Sequence, residues 1–282
     1  MVSIEKKFRP LRERVYHKYL RLTAGQRCLP DFLVIGGQKC GTTSLYDYLT
    51  QHPQILPAAK KGVHYFDFYH AQGPLWYRSH FPLQRKKQAG HITGEASPYY
   101  VVHPQVPERI AQLVPNVKLI VLLRDPVTRA ISHYFHEYRR GKETLSLEEA
   151  LAGEEERIQP EFQQLLIDDA YRSSAFQTYS YKKRGVYYEQ LSRYAESFPK
   201  ERMHVIRSED FFRRPTPVLQ AVFRFLGVND TYVPHDLTPK NIGDYAGKVS
   251  PKTIAALREY FAPHNRRLYA WLGRDLGWDR QG

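Results

Sequence analysis

The sequence predicts an α/β fold with a central, mainly parallel sheet flanked by helices. Three observations carry that expectation. Short apolar runs alternate with helical patterns along most of the chain, the order that builds a parallel sheet covered on both faces. One run, Val117 to Leu123, is unbroken, as a strand buried on both faces requires. Two runs end in segments rich in glycine or arginine that lead into helices, and ligands in such sheets bind beyond the C-terminal strand ends, near a topological switch point.

Taken in order, residues 1–30 read as an appendage to a domain of residues 31–282. Ile4, Phe8, Leu11, Val15, Tyr19 and Leu22 recur every three or four positions among Lys and Arg, an amphipathic stripe whose helix starts near Pro10. A helix packed on the domain is the expectation, and a helix lying on a membrane surface is the alternative. Asp31 to Gly37 contains a buried strand, and Thr42 to Gln51 a helix closed by His52-Pro53. Val117 to Leu123 is followed by a helix from Val127 to about Arg140, and Met203 to Arg207 is a third strand. Val63–Phe66 and His91–Ala96 are weaker extended segments. Helical patterns cover Pro104–Val114, Ser146–Glu156, Pro160–Lys182, Gln190–Phe198, Thr216–Leu226 and Pro251–Leu272.

Composition bounds the function. The chain has 282 residues, 42% of them apolar, which suits one domain with a substantial core and not a disordered chain. No run approaches the roughly 18 apolar residues of a membrane-spanning helix, and the basic N-terminus lacks the apolar core of a secretion signal; a cytoplasmic protein is expected. Cys28 and Cys40 are too few for a disulfide scaffold or a four-ligand zinc site and read as unpaired thiols. The formal charge of +13 attracts anions: nucleic acid, acidic lipid, a phosphorylated or sulfated small molecule, or an anionic polysaccharide.

The loop after the first strand reads Gly36-Gly37-Gln38-Lys39-Cys40-Gly41-Thr42-Thr43-Ser44. Glycines let the backbone approach a ligand, the following helix offers unpaired N–H groups, Lys39 adds a cation, and Thr42, Thr43 and Ser44 add hydroxyls. Together these cradle a terminal phosphate. The lysine precedes Gly41 rather than following it, so the Mg²⁺ arrangement of the nucleotide-hydrolase loop is not implied. Arg124-Asp125-Pro126 ends the second strong strand, with Ser132 two helical turns on. A guanidinium and a hydroxyl there can grip a second phosphate.

These segments, with others in the same order, resemble the sulfotransferase superfamily, and most closely the branch of heparan sulfate glucosaminyl sulfotransferases and their bacterial relatives. The matching residues are Gln38 to Leu45, His52-Pro53, Val63-His64-Tyr65-Phe66-Asp67, Trp76-Tyr77, Phe81-Pro82, Glu95 to Tyr99, Pro107-Glu108-Arg109, Leu123 to Pro126, Arg129, Ser132-His133-Tyr134, Ala262 to Asn265, Leu272-Gly273 and Trp278. The resemblance implies a donor, 3′-phosphoadenosine 5′-phosphosulfate (PAPS), leaving 3′-phosphoadenosine 5′-phosphate (PAP), with no metal required. It assigns Lys39, Cys40, Gly41, Thr42, Thr43 and Ser44 to the 5′ end of the donor and Arg124 and Ser132 to its 3′-phosphate. Lys240, Asn241 and Lys248 lie where the family closes a basic loop over the nucleotide.

Two departures bear on catalysis. The branch carries a glutamate base where this chain has Gly62, and a lysine where it has Ala96. His64 and Glu95 are the remaining base candidates beside the charge-stabilising Lys39, and Tyr65, Asp67 and Tyr99 are candidates for the acceptor wall. The expected reaction is in-line transfer of a sulfuryl group to a hydroxyl, or less favourably an amine, of a carbohydrate, glycolipid or other small molecule. The rival readings are a small-molecule kinase with a related loop and a non-catalytic polyanion-binding protein; basic residues are spread along the chain and no nucleic-acid motif occurs.

Overall fold

The structure is a computed structural model that describes residues 15–16, 18–240 and 247–279. Its centre is a sheet of five parallel strands in the order β2-β3-β1-β4-β5: β1 (Phe32–Gly36), β2 (Ile55–Pro57), β3 (Ile92–Ala96), β4 (Lys118–Leu123) and β5 (Met203–Arg207). Side chains alternate across a strand, so Leu33, Ile35, Val121 and Leu123 face one apolar core while Phe32, Val34, Ile120 and Leu122 face another. That two-sided burial is why β4 reads as a continuous apolar run.

The connection after β1 runs toward β2, and the one after β4 runs toward β5 on the other side. The β1–β4 boundary is therefore the switch point, and the crevice opens there. Helix α1 (Thr42–Leu49) follows β1; α2 (Gly73–Arg78), α3 (Val106–Leu113) and α4 (Pro126–Arg139) come next. Then follow α5 (Leu147–Ala152), α6 (Glu154–Ile167), α7 (Ser174–Tyr179), α8 (Tyr187–Ala195), α9 (Ser208–Arg213), α10 (Pro215–Leu226) and α11 (Pro251–Leu272).

Several expectations differ from the structure. Val63–Phe66 is a turn, not a strand: Gly62 and His64 have φ of 73° and 56°, and the His64 carbonyl accepts from the Phe68 and Tyr69 N–H groups. Strand β2 escaped notice because three residues carry no periodicity. The single helix expected over Pro160–Lys182 is two, α6 and α7, with Pro160 inside α6. Ser173 caps a new start by accepting from the Phe176 N–H.

Of the N-terminal stripe, Ile4, Phe8 and Leu11 lie outside the described residues. Residues 18–22 are helical, but Val15, Tyr19 and Leu22 are exposed and only Leu20 on that turn is buried. The stripe is not the face packed on the domain. Cys28 and Cys40 are free and buried.

Gly94 in β3 is required by its neighbour. A Cβ there would lie 2.4 Å from the Phe32 carbonyl oxygen in β1. Gly94→Ala is expected to destabilise the protein by about 2–3 kcal/mol through overpacking, read as a fall of about 5 °C or more in Tm by calorimetry.

Candidate active site

β1 and β4 are hydrogen-bonded neighbours in which Gly36, the last residue of β1, stands in register with Val121, and the Gly37 N–H donates to the Leu122 carbonyl at 2.6 Å. The loop after β1 and the turn after β4 are thus forced together: the Arg124 guanidinium donates to the Lys39 carbonyl at 3.3 Å. Lys39 has φ of 67°, and Gly41, at φ 94°, caps α1 without any side-chain bond to the first-turn N–H groups. Those donors face outward, ready for an anion. A Cβ on Gly41 would meet the Phe212 ring at 2.7 Å, so glycine serves both the turn and the packing.

The crevice is a cavity of about 580 Å³ lined by Lys39, Gly41, Thr42, Thr43, Arg124 and Ser132 among others. Among the described residues of its lining, five are Lys or Arg, namely Lys39, Lys61, Arg124, Arg139 and Lys240, and none is a carboxylate. Burial, then the Arg139 and Arg124 charges, hold the Lys39 ammonium below its usual pKa. The His136 imidazole, also on the wall, is pushed down to about 4 by burial and by Lys39, Arg140, Arg139 and Lys142. Clustered cations in a partly desolvated crevice are relieved by a multiply charged anion.

Several residues here escaped the sequence reading. Lys61 donates to the Thr43 hydroxyl at 2.8 Å. His136 and Arg139 extend Ser132 along one face of α4 at i+4 and i+7, a spacing the sequence does contain. Arg184 reaches Gln38 from far along the chain, its guanidinium donating to the Gln38 side-chain oxygen and, at 2.9 Å, to the Gln177 carbonyl. No local signal marks it. Phe212, exposed on α9, gives the cavity an aromatic wall.

Other candidates are placed differently from expectation. The Cys40 side chain is fully buried in the core, leaving only its backbone for a ligand. Ser44 is also fully buried; its hydroxyl accepts the Lys240 N–H at 2.9 Å and so ties the late segment to α1. Lys248 is exposed and not on the cavity wall, and Asn241 lies outside the described residues.

Glu95 cannot be a base that touches an acceptor, because it is fully buried. Its carboxylate accepts from the hydroxyls of Ser97 and Tyr100, both at 2.7 Å, and from Tyr77 at 3.4 Å. Those hydroxyls in turn accept backbone N–H groups: Ser97 from His64 at 3.0 Å, Tyr100 from Tyr65 at 2.8 Å. Glu95 is therefore the anchor that holds the His64 turn.

His64 keeps 27% of its side chain exposed, and its Nδ1 is 2.8 Å from the buried Asp67 Oδ2. Burial alone would lower its pKa, but the hydrogen bond and charge of Asp67 outweigh that and raise it above the ordinary histidine value. With Nδ1 engaged, Nε2 is the nitrogen left to accept a proton. A Cβ at Gly62 would lie 3.4 Å from that Nε2. Tyr99 and Tyr65 are buried: Tyr99 lies 4.8 Å from the Arg184 guanidinium, and Tyr65 stacks on Tyr77 at 4.5 Å. They support the wall rather than form it.

A glycine-rich loop at the switch point of a 2-3-1-4-5 parallel sheet, with a guanidinium beyond the neighbouring strand, is an arrangement suited to a nucleotide-dependent group transferase. Residues 29–241 match the sulfotransferase domain family, and the chain belongs to that family. It is similar to the membrane-associated sulfotransferase kil1 of Dictyostelium discoideum, at 29% identity over 89% of this chain and 67% of that one. It is similar also to mouse heparan sulfate glucosamine 3-O-sulfotransferase 3B1, at 30% identity over 91% of this chain and 66% of that protein. A solved sulfotransferase from Alicyclobacillus acidocaldarius superposes with a TM-score of 0.72, at 33% identity over 90% of this chain and all of that one. The chain is thus a sulfotransferase, transferring a sulfuryl group from PAPS to a carbohydrate or small-molecule acceptor.

Removing one half-buried charged donor from an anion costs about 1.5–3 kcal/mol, or roughly tenfold to a hundredfold in affinity. Arg124→Ala and Lys39→Ala are each expected to weaken PAP binding by that factor in calorimetry. Lys248→Ala is expected to leave it unchanged.

Proposed function

We propose that the donor lies in the β1–β4 crevice with its 5′ end on the Lys39 loop and its 3′-phosphate on Arg124 and Ser132. Five cations and no carboxylate among the described residues of one cavity wall is the observation that carries this reading. The donor supplies the sulfuryl group; the chain supplies position and charge, which dominate the catalysis of such transfers. Lys39 stabilises the charge developing on the departing 5′-phosphate oxygen. Lys61, tied to Thr43 in the first turn of α1, adds a second cation at the same end. Phe212 offers a face for the purine, and Lys240 closes the nucleotide side.

His64 is the general base in this reading, taking the acceptor's proton on Nε2 while Asp67 holds Nδ1. Gly62 supports the assignment physically: the space in which a side chain at position 62 would start adjoins Nε2, so the acceptor hydroxyl reaches the imidazole where the related enzymes interpose a glutamate. Ala96 is fully buried and offers no substitute for the missing lysine. The acceptor is a hydroxyl of a carbohydrate, approached from the β3 side. The direct test is transfer of labelled sulfate from PAPS to a panel of saccharide acceptors, read by mass shift; activity confined to phenols or amines would overturn the carbohydrate reading.

A base must be deprotonated, so turnover should rise with pH through a pKa above about 6.5, the ordinary histidine value. Asp67→Asn removes the partner that raises it, so the rising limb of kcat is expected to move to lower pH, with kcat itself reduced. His64→Ala should abolish the limb and lower kcat about a hundredfold while PAP affinity holds. A limb unmoved in both variants would count against His64.

A second reading concerns location, within the cytoplasmic setting expected from the sequence. The exposed stripe of Val15, Tyr19 and Leu22 beside Lys18 and Arg21 suits the interface of an anionic lipid surface, and kil1 is described as membrane-associated. Co-sedimentation with phosphatidylserine vesicles but not phosphatidylcholine vesicles, lost in a Val15→Ser, Leu22→Ser variant, is the expected outcome.

A further inference from the structure

We propose that Lys61 is a catalytic residue that grips the sulfuryl group itself, and that it sets the preference of the site for the sulfated donor over the desulfated product. The proposal rests on the donor placement proposed above and deepens it by giving the third anionic group of the donor a partner of its own.

PAPS carries three anionic groups: the 3′-phosphate, the 5′-phosphate and the terminal sulfuryl group. The cations of the cavity fall into two places. Lys39, Arg124 and Arg139 form one group, since the Arg139 and Arg124 charges both bear on the Lys39 ammonium. Lys61 stands apart from it. The charges that bear on Lys61 are the carboxylates of Asp47 and Glu95, and neither of them lines the cavity beside it. Its one hydrogen bond among the described residues is the one it donates to the Thr43 hydroxyl at 2.8 Å. An ammonium has three donors, so two remain for a ligand. With Arg124 on the 3′-phosphate and Lys39 on the 5′-phosphate, the group left for Lys61 is the sulfuryl.

The backbone fixes where that ammonium stands. The segment leaving β2 is pinned at Ala59, whose N–H donates to the His80 carbonyl at 2.7 Å. It is pinned again at Gly62, whose N–H donates to the Ala96 carbonyl at 3.0 Å, and at His64, whose N–H donates to the Ser97 hydroxyl at 3.0 Å. Held on both sides, Lys61 reaches across to the first turn of α1. Of the residues lining the cavity, it is the nearest in sequence to His64, and Pro98, next to Ser97, lines the same wall. In-line transfer puts the sulfur between the departing phosphate oxygen and the attacking acceptor oxygen. With the first at Lys39 and the second at His64, the Lys61 ammonium stands beside the path that joins them.

In the step itself, the acceptor oxygen bonds to sulfur as the bond from sulfur to the 5′-phosphate oxygen breaks. The electron pair of that bond stays on the phosphate, and the acceptor's proton goes to Nε2 of His64. Lys61 stays protonated throughout. It exchanges the Thr43 hydroxyl for the sulfuryl oxygens when the donor binds, and holds the group in line. A half-buried ammonium whose partner is a neutral hydroxyl gains from an anion, because a charge-assisted hydrogen bond replaces an ordinary one. PAP has no sulfuryl oxygen to offer, so Lys61 returns to Thr43 once the group has left, and the product is held by one contact fewer than the donor.

The test is calorimetric binding of PAPS and of PAP, without acceptor, to the full chain and to its Lys61→Met and Lys61→Gln variants. Met keeps the unbranched stem and removes the charge; Gln removes the charge and keeps a donor for Thr43. Each variant is expected to weaken PAPS about tenfold and to leave PAP affinity unchanged. Release of labelled sulfate from PAPS to water, which needs no other acceptor, should fall about tenfold or more in both. A role confined to building the loop would weaken the two nucleotides together. Equal weakening of PAPS and PAP in both variants, or no weakening of either nucleotide, therefore overturns the Lys61 assignment. The donor placement survives that result if Lys39→Ala, measured alongside, weakens both nucleotides. A Lys39→Ala variant that weakens neither refutes the placement and the Lys61 assignment with it.

Discussion

The parallel pairing of β1 with β4 is the constraint on which the rest depends. It brings the Gly36–Ser44 loop and Arg124 to the same edge, close enough for the guanidinium to meet the Lys39 carbonyl. Everything cationic in the crevice follows from that adjacency. Burial first, and then the Arg139 and Arg124 charges, lower the Lys39 pKa in this partly buried space. An anion charged at both ends suits such a space, because burial and neighbouring like charges both favour a counter-ion there.

A second buried network sets the other half of the site. The Glu95 carboxylate gathers three hydroxyls, and two of them hold the backbone of the His64 turn. This carboxylate does its work through shape. It lies at the end of β3, the strand beside β1, so the histidine turn and the phosphate loop are referenced to the same rigid sheet. A left-handed residue such as His64 persists only where its surroundings over-determine it, and here they do: Ser97 holds its N–H, Asp67 holds its ring, and Phe68 stacks on it at 4.9 Å.

The two networks divide the rim by function. On the β4 side the crevice wall carries cations and the exposed Phe212 ring; on the β3 side stands the His64 imidazole, held by Asp67. Gly62 sits at the join. The absence of a side chain there leaves open the space beside Nε2, where a Cβ would lie 3.4 Å away.

Much of this was legible in the sequence, and the boundary has a physical cause. Local chemistry is written locally: apolar runs specified β1, β4 and β5, glycines and hydroxyls specified the phosphate loop, and Arg124 and Ser132 stood at a strand end and on the following helix face. What the sequence could not carry was contact between distant segments. Glu95 and Cys40 occupy motif positions suited to ligand contact, yet burial turned one into a scaffold and the other into core. Lys61 and Arg184 look like ordinary surface cations in the sequence, yet one reaches Thr43 and the other Gln38 only once β2 and α8 are packed. Residue type and spacing determined that glycines, a lysine and hydroxyls follow the first strand, the chemistry suited to a phosphorylated donor. Tertiary structure decided which side chains line that crevice, because exposure and hydrogen-bond partners are properties of the packed sheet and not of the chain.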